Sequence, residues 1–189
     1  RDRESFNLVR KMVPHTPCVQ GADVAFMMPY EDRSSERGGK RIRVGVNVSG
    51  LLVHEAESKR NRFGLQLDYA EFSHRLIQAL LAMPDVEVHL VPHATAARPN
   101  YDDDGRLADR LASLYPAALR VPDFRSPNAV KSYISSLDFL VAGRLHACIA
   151  AYSTQTPVVP VAYSRKFRGV FGLVDYDRIV PTAGLDVDE

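Results

Sequence analysis

The sequence lacks a strong net charge, long apolar runs and paired cysteines. Its formal net charge is only +1 over 189 residues, which gives no bulk electrostatic attraction to nucleic acid or to an anionic membrane. The longest apolar runs, such as residues 158–163, are far too short to span a lipid bilayer. The two cysteines, Cys18 and Cys148, lie far apart and form no C-x-x-C motif. We therefore expect a cytoplasmic protein that binds no nucleic acid, with the inner face of the membrane as a second, peripheral location.

Motifs for common cofactors and metals are also missing. Neither GxxxxGK nor GxGxxG occurs, so no glycine-rich phosphate loop is indicated. The three aspartates at 102–104 could chelate a cation, but they are better explained as the cap and first-turn charges of a helix. We expect no cofactor and no metal site, since paired spacing is not found among His15, His54, His74 and His89.

Strand and helix patterns alternate along the chain. Short apolar runs predict strands, and apolar residues at helical spacing predict the helices between them. This order over short connections predicts an α/β fold, a Rossmann-like parallel sheet with helices on both faces. Strands are predicted at 43–48, 85–91, 119–121, 138–141, 158–162 and 179–180, and helices at 67–83, 102–115, from Ser126 and Pro127 onward, and at 145–153.

Four other segments have weaker patterns. Residues 5–13 are predicted to form a helix with Ser5 as its N-cap, and residues 23–28 a strand. Residues 53–64 are dense in charge and are predicted to form a mobile loop, and residues 163–169 a basic loop. The polar stretch 31–41 has the composition of a linker and is the best candidate for a domain boundary.

Residues 138–152 are the most informative part of the sequence. They predict a short buried strand, a tight turn at Gly143 and a helix with Arg144 and His146 in its first turn. A helix start exposes unpaired N–H groups and roughly half a positive charge, so it is an anion site. One interpretation is an anionic substrate at Arg144 with His146 transferring protons. The alternative is an arginine paired with a nearby carboxylate and a histidine packed under a loop.

Several polar residues follow predicted strands directly. In a parallel sheet the carboxyl ends of the strands lie on the same edge, where ligands bind. The sequence therefore predicts that one rim carries Ser49, His93, Arg144, His146 and Lys166.

The order of short motifs resembles the polysaccharide pyruvyl transferase family. That family has an Arg-Leu-His helix start and a later Tyr-x-x-Lys, matched here by residues 144–146 and 163–166. The resemblance implies a two-domain, GT-B-like enzyme of which this chain is the C-terminal part. Residues 1–35 would end an N-terminal domain and its linker, and residues 36–189 would form the donor-binding domain. The upstream motifs that fit the resemblance are residues 1–5, 22–26, 44–48 and 91–93.

The resemblance also implies an activity and a set of roles. Enolpyruvyl transfer from phosphoenolpyruvate to sugar hydroxyls of a polysaccharide or its precursor would form a pyruvate ketal. Arg144, His146 and the backbone of Leu145 would hold the donor, with His146 as acid or base. Either Arg1 or Arg3 would add a second cation. Further substrate-binding candidates are Lys166, a phosphate clamp or a surface charge, together with His93 and Ser49.

Two other functions stay open at this point. A GT-B glycosyltransferase that uses a nucleotide sugar would need a carboxylate for the ribose, for which only Asp175 and Asp177 are candidates. A non-catalytic domain that binds a phosphorylated metabolite is the second alternative. The expected partners are phosphoenolpyruvate and a sugar or glycan acceptor, with a lipid-linked acceptor and a homo-oligomer left open.

Overall fold

A six-stranded parallel sheet forms the centre of the computed structural model, which describes residues 2–98 and 100–182. The strand order is β3-β2-β1-β4-β5-β6, and every neighbouring pair is parallel. The predicted α/β, Rossmann-like class is confirmed. The strands are β1 (Ile42–Asn47), β2 (Val86–Leu90), β3 (Leu119–Arg120), β4 (Phe139–Ala142), β5 (Val158–Ala162) and β6 (Val180–Pro181).

Seven α-helices connect or flank these strands in the described part of the chain. The helices predicted at 67–83, 102–115, after Ser126 and at 145–153 are all present within a few residues. Ser126 caps its helix by accepting a hydrogen bond from the backbone N–H of Ala129, with Pro127 in the first turn, as predicted. The helices are α1 (Arg3–Met12), α2 (Gly50–Glu57), α3 (Tyr69–Leu81), α4 (Asp104–Leu114), α5 (Pro127–Ile134), α6 (Leu145–Ser153) and α7 (Arg165–Phe171).

Buried apolar side chains pack on both faces of the sheet. One cluster joins α2, α3 and α4 to Val44 and Val46 of β1. The other cluster joins α5, α6 and α7 to Leu140 and Ala142 of β4. Successive side chains of a strand point to opposite faces of the sheet. Leu140 belongs to one cluster and Val141 to the other, so the two clusters lie on opposite faces.

The strand order reverses between β1 and β4. From β1 the chain moves outward through β2 to β3, then crosses back to β4 and moves outward again through β5 to β6. At such a reversal the loops after the two central strands separate and leave a crevice at the carboxyl edge. The loops that meet there begin after Asn47 and Ala142, which are paired in register.

Two predictions near the amino end of the described chain are wrong. The first helix is capped by Asp2 instead of Ser5, since the Asp2 carboxylate accepts from both the N–H and the hydroxyl of Ser5. Residues 24–27 form a 3₁₀ turn instead of a strand. The Lys131 ammonium donates to three carbonyls of residues 25–28, and an extended strand would point alternate carbonyls away from it.

Two predicted loops contain helical segments: α2 covers residues 53–57 of the loop predicted at 53–64, and α7 covers residues 165–169 of the loop predicted at 163–169. Residues 50–57 form α2, which the dense charge of this stretch concealed. Its Glu55 is buried and pairs with Arg62 at 2.6 Å, so part of that charge faces inward. Residues 165–171 form α7, whose Phe167 and Phe171 are buried although basic residues surround them in the sequence.

The predicted linker packs against the rest of the chain. The guanidinium of Arg37 donates to the carbonyls of Ser135, Thr154 and Gln155 and to the hydroxyl of Thr156. The division into domains at residue 35 stays a prediction. Across the described ranges, no helix combines the length and the apolar character that crossing a membrane requires.

Candidate active site

A cavity of about 510 Å³ lies at the carboxyl edge of the sheet, beside the start of α6. The loops after β2, β4 and β5 form most of its wall, and the 3₁₀ turn at Val24–Met27 and the residue after it close one side. Five of the predicted residues meet here, namely His93, Arg144, Leu145, His146 and Lys166. The lining consists of Ala25, Met28, His93, Ala94, Pro127, Arg144, Leu145, His146, Ala150, Tyr163 and Lys166.

Asp104 ties together the loops that form this cavity. It is the first residue of α4, and its side chain is fully buried. Its two oxygens accept hydrogen bonds from the loops after β1, β2 and β4, so one carboxylate fixes three loops relative to each other. The donors are the backbone N–H groups of Gly50, His93 and Ala94, the amide of Asn47, and the guanidinium of Arg144.

Arg144 is paired with carboxylates below the cavity surface. Its Nη2 lies 2.7 Å from Asp104 Oδ1 and also binds the carboxylate of Asp102, and its side chain is only 12% exposed. Burial alone would lower the pKa of Arg144, but the hydrogen bonds and charges of Asp104 and Asp102 outweigh it and raise the pKa. One cation facing two carboxylates leaves the group with a net negative charge. The sequence alternative, an arginine paired with a nearby carboxylate, describes the contacts observed.

The start of α6 faces the cavity without a side-chain cap. Arg144 occupies the N-cap position and makes no capping hydrogen bond, because a guanidinium cannot accept one. Its own backbone N–H donates to Asn47 Oδ1 at 3.0 Å, which fixes the end of the β4 loop. The first N–H groups of α6 therefore lack an acceptor from their own N-cap, as an anion site requires.

His146 is the accessible imidazole of the cavity. Its side chain is 53% exposed, and its Nε2 lies 3.9 Å from Oδ2 of Asp23, a buried carboxylate at the start of the 3₁₀ turn. His146 therefore presents an accessible imidazole to the cavity from the first turn of α6, beside a buried carboxylate.

His93 differs from His146 in its surroundings. Burial lowers its pKa to about 4, so its imidazole is neutral near pH 7. Its Nδ1 is buried and has no hydrogen-bond partner among the described residues. His93 therefore contributes a neutral ring to the wall of the cavity and does not supply a positive charge.

The one lysine and the one tyrosine among the described lining residues come from the segment after β5. Lys166 is exposed in the first turn of α7, and Tyr163 is half-buried with its ring packed edge-on against Phe63 and Phe167. Burial raises the pKa of Tyr163. No aspartate or glutamate is among the described residues that line the cavity, and Lys166 supplies a positive charge there, whereas the carboxylates of Asp23, Asp102 and Asp104 lie behind the lining.

The remaining predicted residues lie elsewhere. Ser49 is fully buried beneath the loop, where its backbone N–H donates to the hydroxyl of Tyr69. Arg3 is exposed on α1 and does not line the cavity, and Arg1 lies outside the described residues. The functional roles of all predicted site residues stay predictions. Within residues 2–98 and 100–182, no cluster of three or more His, Cys, Asp or Glu side chains is placed to hold a metal ion.

Sequence reasoning missed the acidic residues that organise this site. The sequence predicts a helix cap and first-turn charges at 102–104, which Asp103 as N-cap and Asp104 in the first turn confirm, but it does not predict that Asp102 and Asp104 pair with Arg144. The available signal was three aspartates after a strand whose neighbouring loop carries an arginine. Asp23 belongs to the 22–26 motif of the resemblance, but the strand predicted there does not place it beside His146.

Comparison with known families gives one match. The model of the family described as polysaccharide pyruvyl transferase matches residues 1–165. This span includes every residue that lines the cavity except Lys166. Neither the comparison with curated proteins nor the comparison with solved structures gives a match.

Proposed function

This chain belongs to the polysaccharide pyruvyl transferase family, and we propose that it transfers the enolpyruvyl group of phosphoenolpyruvate to two hydroxyls of a sugar. The product is a pyruvate ketal on a polysaccharide or its precursor. The family makes the chain a transferase and suggests a sugar or glycan acceptor. The identity of the donor, the placement of the donor and the roles of individual residues are our proposal.

The observation that carries the proposal is the composition of the cavity at the start of α6. An uncapped helix start, the imidazole of His146 and the ammonium of Lys166 surround one space, and no carboxylate lines it. Phosphoenolpyruvate carries a phosphate and a carboxylate, so it needs several donors and a positive potential. We place the donor against the first turn of α6, with one of its anionic groups near Lys166.

Arg144 has an indirect part in this scheme. Its guanidinium already pairs with Asp102 and Asp104, so it offers little free charge to the donor. Its backbone begins α6, and its side chain fastens that start to α4. We propose that Arg144 positions the helix start and the Leu145 backbone that bind the donor.

The reaction balances without an external reductant, oxidant or cofactor. The methylene carbon of the donor gains a proton and becomes a methyl group, which makes the neighbouring carbon electrophilic. One sugar hydroxyl attacks that carbon, the carbon–oxygen bond to phosphate breaks, and the second hydroxyl closes the ketal. Of the two hydroxyl protons, one is equivalent to the new methyl proton, and the other leaves with phosphate.

His146 is the group that we propose for proton transfer. It is the more exposed of the two imidazoles in the lining, and it lies in the helix turn that would contact the donor. His93 stays neutral near pH 7, so it suits hydrogen bonding to a substrate better than carrying a positive charge.

The acceptor is proposed from its chemistry and from the family. We propose a sugar of an exopolysaccharide or cell-envelope polymer, presented as a lipid-linked intermediate at the inner face of the membrane. A peripheral encounter of this kind requires no membrane-spanning segment in the chain.

Calorimetric titration of the 189-residue chain with phosphoenolpyruvate tests the donor assignment. We expect Lys166→Ala to weaken binding by about tenfold, since a lost charged hydrogen bond has that order of effect at an exposed position. Lys40→Ala, an exposed lysine just before β1 at the opposite edge of the sheet, should bind like the parent. His146→Ala should retain most donor affinity but abolish phosphate release in the presence of an acceptor glycan. Binding of a uridine nucleotide sugar instead of phosphoenolpyruvate would refute the proposal.

A further inference from the structure

A second hollow of about 300 Å³ adjoins the cavity at the start of α6. His93, Ala94 and Pro127 line both spaces, so the two share a wall and open side by side. The loops after β2 and β3 and the first turn of α5 form the rest of this second hollow. Its own lining residues are Pro92, Thr95, Phe124, Arg125, Ser126 and Val130.

The chemistry of this hollow differs from that of the first cavity. Phe124 supplies a half-buried aromatic ring, held against Tyr133 with ring centroids 5.4 Å apart. Three residues with polar side chains, Thr95, Ser126 and the exposed Arg125, line the same hollow. A rigid apolar surface with a few polar groups at its margin suits a ligand that has one apolar face and a polar edge. A sugar ring has this character.

The position of the hollow meets a requirement of the reaction. Two hydroxyls of the acceptor must reach one carbon of the donor, so the acceptor must bind within contact distance of the donor. A site that shares a wall with the donor cavity satisfies this condition. The hollow near Tyr101 and Arg110 shares no lining residue with the donor cavity.

His93 gives a second, independent indication. It stands at the junction of the two spaces, and its Nδ1 is buried with no hydrogen-bond partner in the described structure. Because buried polar atoms are nearly always paired, an unpaired one beside two cavities indicates a place where a ligand completes the hydrogen bonding.

We propose that this second hollow is the acceptor-sugar subsite, with the sugar ring on Phe124 and its polar edge at Arg125 and Ser126. The sugar's reactive hydroxyls then face the donor cavity past His93. This assignment rests on the proposed function, because it takes the first cavity as the donor site. It adds specificity-determining residues on the β3–α5 loop.

Ligand-observed magnetic resonance and calorimetry on the 189-residue chain test the assignment. The probes are methyl glycosides of galactose, glucose and mannose, titrated into protein saturated with phosphoenolpyruvate. We expect at least one glycoside to bind in the millimolar range and Phe124→Ala to weaken it about tenfold. Arg125→Ala removes an exposed side chain, so the protein should stay folded. We expect this variant to bind the glycoside more weakly than the parent.

Tyr101→Ala is the matched control, since Tyr101 is an exposed ring that lines a different hollow. Glycoside affinity in this variant should equal that of the parent, and phosphoenolpyruvate affinity should be unchanged in Phe124→Ala and Tyr101→Ala. Glycoside binding that neither Phe124→Ala nor Arg125→Ala alters would overturn the subsite. So would the absence of glycoside binding up to about 50 mM while the donor still binds. If the parent protein does not bind phosphoenolpyruvate, the proposed function is refuted instead.

Discussion

Replacing Asp104 by alanine should destabilise the protein by about 3–5 kcal/mol, the cost of removing one partner from a buried ion pair. The Asp104 side chain is fully buried and Arg144 is only 12% exposed, so solvent screening reduces this cost little. Three backbone N–H groups, of Gly50, His93 and Ala94, lose their acceptor at the same time. Water that enters the vacated space and the remaining Asp102 carboxylate offset part of that loss. The expected cost is a large fraction of the roughly 5–15 kcal/mol that stabilises a typical domain.

Urea unfolding followed by circular dichroism measures this effect, with Asp109→Ala as the control. Asp109 lies on the same helix and pairs with Arg120 at 2.8 Å, but its side chain is 66% exposed. Its removal should cost less than about 1 kcal/mol. Asp104→Asn, which keeps the size and one acceptor oxygen but loses the charge, should fall between the two alanine variants. If Asp104→Ala costs no more than Asp109→Ala, Asp104 does not hold the three loops and this account of the site is wrong.

Three further perturbations test separate contacts of the site. Asp102→Asn removes a negative charge beside the cavity and should tighten phosphoenolpyruvate binding a few-fold in calorimetry; unchanged or weaker binding contradicts the electrostatic argument. Gly143→Ala places a Cβ 2.3 Å from the Tyr69 hydroxyl oxygen. It should therefore lower the free energy of unfolding in urea by about 1–3 kcal/mol, and adding Tyr69→Phe should recover part of that loss. Because the pKa of His93 falls to about 4 on folding, unfolding takes up a proton between pH 6.5 and 4, and stability should fall by about 3 kcal/mol as the pH drops through that range. His93→Gln should flatten this pH dependence and exposed His15→Gln should not; equal slopes in the parent and in His93→Gln would show that another group causes it.

The fold was predictable because it depends on patterns that each segment carries alone. The apolar strand at 158–162 and the Ser126–Pro127 helix start are local features, and both are confirmed. The wrong predictions have a different origin. Residues 24–27 form a 3₁₀ helix, and Lys131, more than a hundred residues later, donates hydrogen bonds to the carbonyls of Ala25, Phe26 and Met28. No periodicity within the segment contains that information.

The position of the site was predictable from the sequence, but which charged side chains pair with each other there was not. Residues after parallel strands meet at one edge by topology, which brings His93, His146 and Lys166 around one cavity. Which charges pair within that edge depends on distances of a few ångströms between loops. The pairing of Arg144 with Asp102 and Asp104 is of this kind, and so is the burial of Ser49.

The pairing of Arg144 decides which groups can bind an anion. For the guanidinium to contact the donor with its full charge, Asp104 would have to move away from it. Asp104 also holds Asn47 and three backbone N–H groups, so its departure would leave several buried donors unpaired. Because of that cost, Arg144 and Asp104 stay paired, and the charge of Arg144 is not available to an anionic ligand. In the proposed reaction, the start of α6 and Lys166 then bind the donor's negative charge, and Arg144 contributes by fixing the position of His146 two residues later.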